Sequence, residues 1–191
     1  MSVATRPSDR TDEIEAFLDV LPDVSPDART FCSGWTAHAL IAHVVAGGEE
    51  LRRLVAAALA GEPVPATRTF AEREPRFVAM PDEALRDQLA VSGLSLLAAL
   101  DQLHDSDHDA TMTFTGADLT AMQLMTHVRS ELALHRWDLI GDDVVGGELL
   151  AQPDLLAHGR WVLEHMPSLA EAQRRPADDH NDLLVLWGRR Q

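Results

Sequence analysis

The sequence predicts an all-α protein built as a bundle of amphipathic helices. Three observations carry this expectation. Leu, Ala and Val must do the packing, because aromatics are only 5% of the 191 residues and tyrosine is absent, a composition that favours helix over sheet. Four main segments repeat apolar residues at helical spacing. Long connections separate them, as in a bundle.

Residues 1–8 read as a frayed leader. Ile14, Phe17, Leu18 and Leu21 then recur at helical spacing, giving a first helix over about 9–21. Pro22 and Pro26 open a loop that runs through Gly34. The second helix starts near Trp35 and Thr36, carries Leu40, Val44, Leu51, Leu54 and Ala58 on one face, and stops at Gly61 and Pro63. Residues 62–80 hold three prolines and many charges, so they read as a loop with at most one helical turn. Pro81, Asp82 and Glu83 make a good start for a third helix, with proline and acidic residues in the first turn. It continues through Leu85, Leu89, Leu96, Leu97 and Leu100 to about Leu103.

Thr111 to Phe114 reads as a short strand before a turn at Gly116. Asp118 is then the expected cap of a fourth helix reaching Ile140, with Leu124, Val128, Leu132 and Leu139 inward and Gly141 closing it. A fifth helix covers about 152–166. Residues 167–182 read as linker, and Asp182 to Trp187 as a strand or a last helical turn. No repeat or low-complexity tract is visible.

Composition excludes several function classes. All 16 basic residues are arginine and the net charge is −15, so no basic stripe exists to replace the counterions of nucleic acid. Anionic membranes are disfavoured for the same reason. Apolar residues make up 46% of the chain, enough for a sizeable core. Cys32 is the only cysteine, which rules out an internal disulfide and fits a reducing compartment. The N-terminus lacks the apolar stretch of a signal peptide, and no run approaches the ~20 apolar residues of a membrane helix. A cytoplasmic protein is expected.

The chemistry concentrates on the fourth helix. His127, Glu131 and His135 stand at intervals of four, so they form a column on one face, at the border of the apolar stripe. A carboxylate there is costly to desolvate unless a positive charge answers it, and a divalent cation would do so. Glu and His are ordinary zinc ligands. On the second helix, His43 stands between Leu40 and Val44 on the margin of the core face, where antiparallel packing could bring it opposite Glu131 and His135. Three ligands from two helices leave a fourth position open, as in catalytic zinc sites. The spacing alone leaves the plainer readings open: a solvated Glu–His pair, and a core histidine satisfied by its neighbours.

Resemblance narrows the choice. Cys32–Ser33–Gly34–Trp35–Thr36, followed by Ala42–His43–Val44, resembles the C-x-G-W-T … H element of mycothiol-dependent maleylpyruvate isomerase-like proteins. Arg129 to Leu139, ending His135–Arg136–Trp137–Asp138–Leu139, looks like their second element, which closes on H-x-x-D-L. The resemblance covers roughly residues 9–145. It implies a DinB-like four-helix bundle with a short C-terminal extension, and His43, Glu131 and His135 as ligands of one divalent metal, zinc by preference.

The tail from Asp182 to Arg189 is similar to the D-L-L … G-R element of the family's C-terminal region, where an arginine assists catalysis. Arg189 is the match. On this reading residues 9–145 form the metal-binding bundle. Residues 146–191 form a short C-terminal helix and tail, a remnant of a longer C-terminal region. The implied activity is that of a thiol-dependent isomerase or S-transferase. Mycothiol or a similar small thiol would be cosubstrate, deprotonated at the metal and added to a small electrophile. The alternatives are a binding or regulatory protein with a structural metal or none, and a metal-assisted hydrolase. The expected partners are the thiol and the electrophile, with no nucleic acid and no membrane; a homodimer is compatible.

Other signals carry less. Asp105, Asp107 and Asp109 start like a calcium loop, but Ala110 and Gly116 stand where glycine and glutamate are needed. Cys32 has no histidine nearby in sequence and reads as an inert thiol. His38 lies about 140° round the helix from His43 and is expected at the surface. His127 is expected there too, and Trp35 and Trp137 in the core. His104, His108, His158, His165 and His180 show no ligand spacing.

Overall fold

The computed structural model describes residues 6–166, 183–187 and 189. Two readings, the leader over 1–5 and the linker over 167–182, lie outside them.

Four helices form the bundle: α1 (Asp12–Val20), α2 (Ala37–Leu59), α5 (Asp82–Ser106) and α6 (Ala121–Ile140). Two one-turn helices, α3 (Phe70–Arg73) and α4 (Pro75–Val78), bridge α2 to α5. A hairpin of β1 (Thr111–Phe114) and β2 (Ala117–Thr120) bridges α5 to α6. The C-terminal part adds α7 (Val144–Leu150), α8 (Pro153–His165) and α9 (Leu183–Leu186). Helix α2 packs along α5, α1 lies on α6, and α6 also meets α5 and α8.

The long helices begin and end for identifiable reasons. Thr36 Oγ1 accepts the Ala39 N–H at 3.2 Å and caps α2. At the far end of α6, Gly141 adopts φ +78, where a side chain is strained. A Cβ there would also come within 3.0 Å of the Phe31 ring. Thr120 caps α6 in a capping box with Gln123.

That last point corrects the expected cap. Asp118 lies in β2 opposite Thr113, whose hydroxyl donates to its carboxylate at 2.6 Å. The Thr115–Gly116 turn, with both residues at positive φ, returns the chain as a hairpin where a single strand was expected. Helix α7 was not expected at all. The start of the chain also differs: Pro7–Asp9 forms a 3-10 turn against α5, where a frayed leader was expected.

One part of the core is Phe17, Leu40, Ile41, Leu85 and their neighbours, between α1, α2, α5 and α6. A second runs from Leu54 and Leu100 through the hairpin to the C-terminal helices, where Leu183, Leu184, Leu186 and Trp187 are buried. Residues beyond 145 thus share the bundle's apolar interior. No helix among the described residues is long and apolar enough to cross a membrane.

Candidate metal centre

Helix α6 is the spine of the site. It is buried over most of its surface, with His127, Arg129, Ser130, His135, Arg136 and Asp138 among the buried residues, and a buried polar group is costly unless it is hydrogen-bonded. Arg129 makes a two-pronged pair with the fully buried Glu13 at 2.7 and 2.8 Å and reaches Asp154 at 2.6 Å, joining α1, α6 and α8. Arg136 binds both oxygens of Asp143. These pairs fix the rotation of α6 and so decide which residues it turns toward α2.

His43, Glu131 and His135 are brought together. Each offers one ligand atom, and these atoms all lie within 4.8 Å of one another. His135 Nε2 is 3.5 Å from a Glu131 oxygen, and the two imidazole rings stand edge-on with centroids 5.2 Å apart. The other nitrogen of each ring is held by a carboxylate. His135 Nδ1 donates to Asp138 at 2.9 Å, and His43 Nδ1 to Glu74 at 2.6 Å. An ionised carboxylate only accepts, so these bonds put a proton on each Nδ1 and turn both Nε2 atoms toward the cluster, that of His43 with a bare lone pair and that of His135 against Glu131. Trp35 and Phe70 flank the His43 ring at 5.0 and 5.1 Å.

Burial and charge act unequally on the two histidines. Burial lowers the pKa of His43, helped by the nearby His135, and its carboxylate neighbours only partly offset this. Burial pulls His135 down as well, but hydrogen bonds to Asp138 and Glu131 outweigh it and raise that pKa. Glu131 is held well below the usual carboxylate range: its bond to His135 and the charges of three histidines overcome the cost of burial. The cluster thus presents an anionic ligand and a neutral imidazole.

The donor chemistry fits a divalent metal. Tetrahedral zinc at its usual bond lengths sets ligand atoms about 3.3 Å apart; the Glu131–His135 separation of 3.5 Å is already close to that, and His43 needs to approach by up to about 1.5 Å. Carboxylates on the far nitrogens are the support that metal-bound histidines ordinarily have. His43, Glu131 and His135 would hold the ion, with Asp138 and Glu74 behind them.

Sequence reasoning missed Glu74 and Arg73, which come from the segment read as loop. Glu50 of α2, fully buried, explains their placement. It pairs with Arg53 and accepts both the Arg68 backbone N–H and the Arg68 guanidinium, tying residue 68 to α2. Thr69 and Glu72 then form a capping box and Pro75 opens α4. This lays the α3–α4 junction over His43. The Thr69-x-x-Glu72 spacing was the available signal.

The centre opens on a cavity of about 260 Å³ between α1, α2, α5 and α6, which Arg73 and Phe114 also line. Its walls are apolar apart from the cluster, Arg73, His127 and Ser92.

Two expectations, for His127 and His38, need revision. His127 is buried, lines this cavity and shares a hydrogen bond with His158 at 3.1 Å, because α6 has no solvent face at that point. Burial depresses both histidines, His158 to about 3. His38 is only partly exposed, with its ring held between Asp82 and the Val78 carbonyl. Arg189 lies against Asp138, with Nε and Nη2 each 2.9 Å from a carboxylate oxygen. Its visible contact is with the support of His135. Cys32 is half-buried, and burial with the nearby Asp138 charge raises its thiol pKa against a smaller opposing effect of Arg189.

A family model described as the mycothiol maleylpyruvate isomerase N-terminal domain matches residues 8–140. The crystal structure of the mycothiol-dependent maleylpyruvate isomerase is similar, with TM-score 0.65 and 20% identity over 84% of this chain and 72% of that one. A histidine-to-alanine mutant of that enzyme matches with TM-score 0.63 and 19% identity, over the same shares. At that identity the likeness speaks for the fold. No curated protein matches.

Proposed function

The chain belongs to the mycothiol maleylpyruvate isomerase N-terminal domain family, and on that premise we propose that it is a thiol-dependent isomerase or S-transferase acting on a small electrophile. The observation that carries the proposal is the pair of imidazoles. Each is fixed by a carboxylate on Nδ1, and with Glu131 they form a three-donor cluster on a cavity with mostly apolar walls. When bound there, a divalent metal, zinc by donor preference, supplies Lewis acidity that brings a thiol to thiolate near neutral pH.

The chain's own residues do the rest. Asp138 and Glu74 hold the ring orientations. Arg189 neutralises Asp138 and acts as a positioning residue through it. The apolar walls hold the electrophile beside the thiol, which favours reaction by proximity. A thiolate that adds to an activated double bond forms a C–S bond and leaves an enolate. If rotation and expulsion follow, the product is the geometric isomer and no proton is exchanged. If the enolate takes up a proton instead, the product is a thioether.

The test is turnover of a maleylpyruvate-like electrophile with and without a small thiol, on zinc-loaded and chelated protein. Consumption that needs both supports the proposal. Consumption indifferent to thiol points to hydrolysis and overturns it, as does full zinc occupancy with no thiol-dependent turnover of any electrophile.

A further inference from the structure

Arg73 is a buried cation with an unmet donor. Its side chain is at the end of α3, only 8% of the residue is exposed, and Nε has no hydrogen-bond partner. Among the described residues no carboxylate lies within ion-pair distance of it; its one close companion is the Phe70 ring, 4.8 Å from the guanidinium carbon. Leaving a buried guanidinium donor unpaired is expensive. Arg73 lines the cavity together with the metal cluster, so the missing partner has room to arrive as a ligand.

The rest of the cavity describes that ligand's body. His43, Gly47 and Leu51 line it at intervals of four, a run of about 12 Å along α2. Gly47 and Gly48 of α2 face Gly93 of α5 across it, and a Cβ at Gly47 or Gly93 would meet nothing within 4 Å. Glycine inside a helix costs about 1 kcal/mol relative to alanine, and here it leaves open space between two packed helices. Ser92, the cavity's hydroxyl, is bonded to its own helix backbone at Gln88. The long part of the cavity thus offers a ligand no free polar side chain. At about 30 Å³ per water-sized group, 260 Å³ admits on the order of nine non-hydrogen groups.

We propose that this cavity binds an aliphatic monocarboxylate of about six to eight carbons, with its carboxylate on Arg73 and its chain along the Gly47–Gly93 slot. A monoanion matches one cation and meets less repulsion from the nearby Glu74 and Glu131 carboxylates than a phosphate dianion would. The assignment rests on the thiol reading only in naming its electrophile. A chain bound this way puts the carbons next to its carboxylate beside the metal cluster, where an unsaturated one meets the thiol.

The experiment is calorimetric titration of the full chain with octanoate, 1-octanol and acetate, before and after removal of metal by chelation, with no thiol present. Octanoate is expected to bind at least about ten-fold more tightly than either comparison compound, with or without metal. Arg73→Gln is expected to remove the preference for octanoate over octanol while leaving octanol binding in place. Gly93→Ala is expected to weaken both long-chain ligands while raising the melting temperature, which separates filling of the slot from misfolding. Equal binding of octanoate and octanol, a preference that survives Arg73→Gln, or binding that disappears with the metal overturns the assignment. Because no thiol or turnover enters the titration, its failure leaves the thiol reading untouched, and the converse holds.

Discussion

Asp138 Oδ2 lies 2.9 Å from Nδ1 of His135, the residue three places earlier on α6, and the same carboxylate is gripped by Arg189 from the C-terminal end of the chain. Three side chains in series therefore fix the ring whose other nitrogen faces Glu131 and His43. Removing the middle member tests whether this support matters to the metal. Asp138→Asn is expected to weaken zinc affinity by about 10–100-fold, the usual effect of losing such a carboxylate. Competition with a chromophoric chelator measures it, and an unchanged affinity would remove Asp138 from the account.

Arg129 belongs to the same sequence element as the ligands, yet its contacts are structural. Arg129→Ala leaves Glu13 buried and unpaired, which costs roughly 3–5 kcal/mol. For a chain of this size that corresponds to a fall in melting temperature of about 6–20 °C. Zinc stoichiometry of the folded fraction should not change. A stable variant that had lost its metal would reverse the assignment.

The bundle was legible because α1, α2, α5 and α6 repeat their apolar residues at helical period over long stretches. The i,i+4 pair Glu131–His135 was legible for the same reason. Spacing could not show that His43 meets them; the resemblance indicated it and the geometry of α2 against α6 provides it. His127 was misjudged because border-of-stripe reasoning assumes a helix with a wet face, and α6 is covered by α1, α5 and α8. Arg73 and Glu74 were lost because one-turn helices carry too little periodicity to register. The tether from Glu50 to Arg68 that places them is a contact between residues 18 apart in sequence.

That tether has a pH signature. Buried Glu50 is pulled down to about 2, with its bonds to Arg53 and Arg68 outweighing the cost of burial. A carboxylate with a depressed folded pKa stabilises fully above its unfolded value of 4.5, and the contribution is lost as pH falls from there toward 2. With partly exposed arginine partners the effect is on the order of 2 kcal/mol. Denaturant midpoints of wild type and Glu50→Gln should differ near neutral pH and converge toward pH 2. A gap that persists in acid would contradict the assignment.

Gly141 ends α6 at φ +78 beneath the Phe31 ring. Gly141→Ala combines a strained backbone with a contact that must give way, so a loss of about 2 kcal/mol is expected. Chemical denaturation measures it. The double variant with Phe31→Ala should recover the steric part, and no recovery would place the whole cost in the backbone.

The claim beneath all of this is that α2 and α6 together offer two fixed imidazole nitrogens and one carboxylate to a single cation. Metal analysis of the purified, zinc-equilibrated chain tests it most directly. The account expects about one zinc per chain in the wild type and almost none in His43→Ala, Glu131→Gln or His135→Ala at unchanged helicity. A wild type that takes up no zinc from excess, or variants that hold it as well as the wild type does, would contradict it.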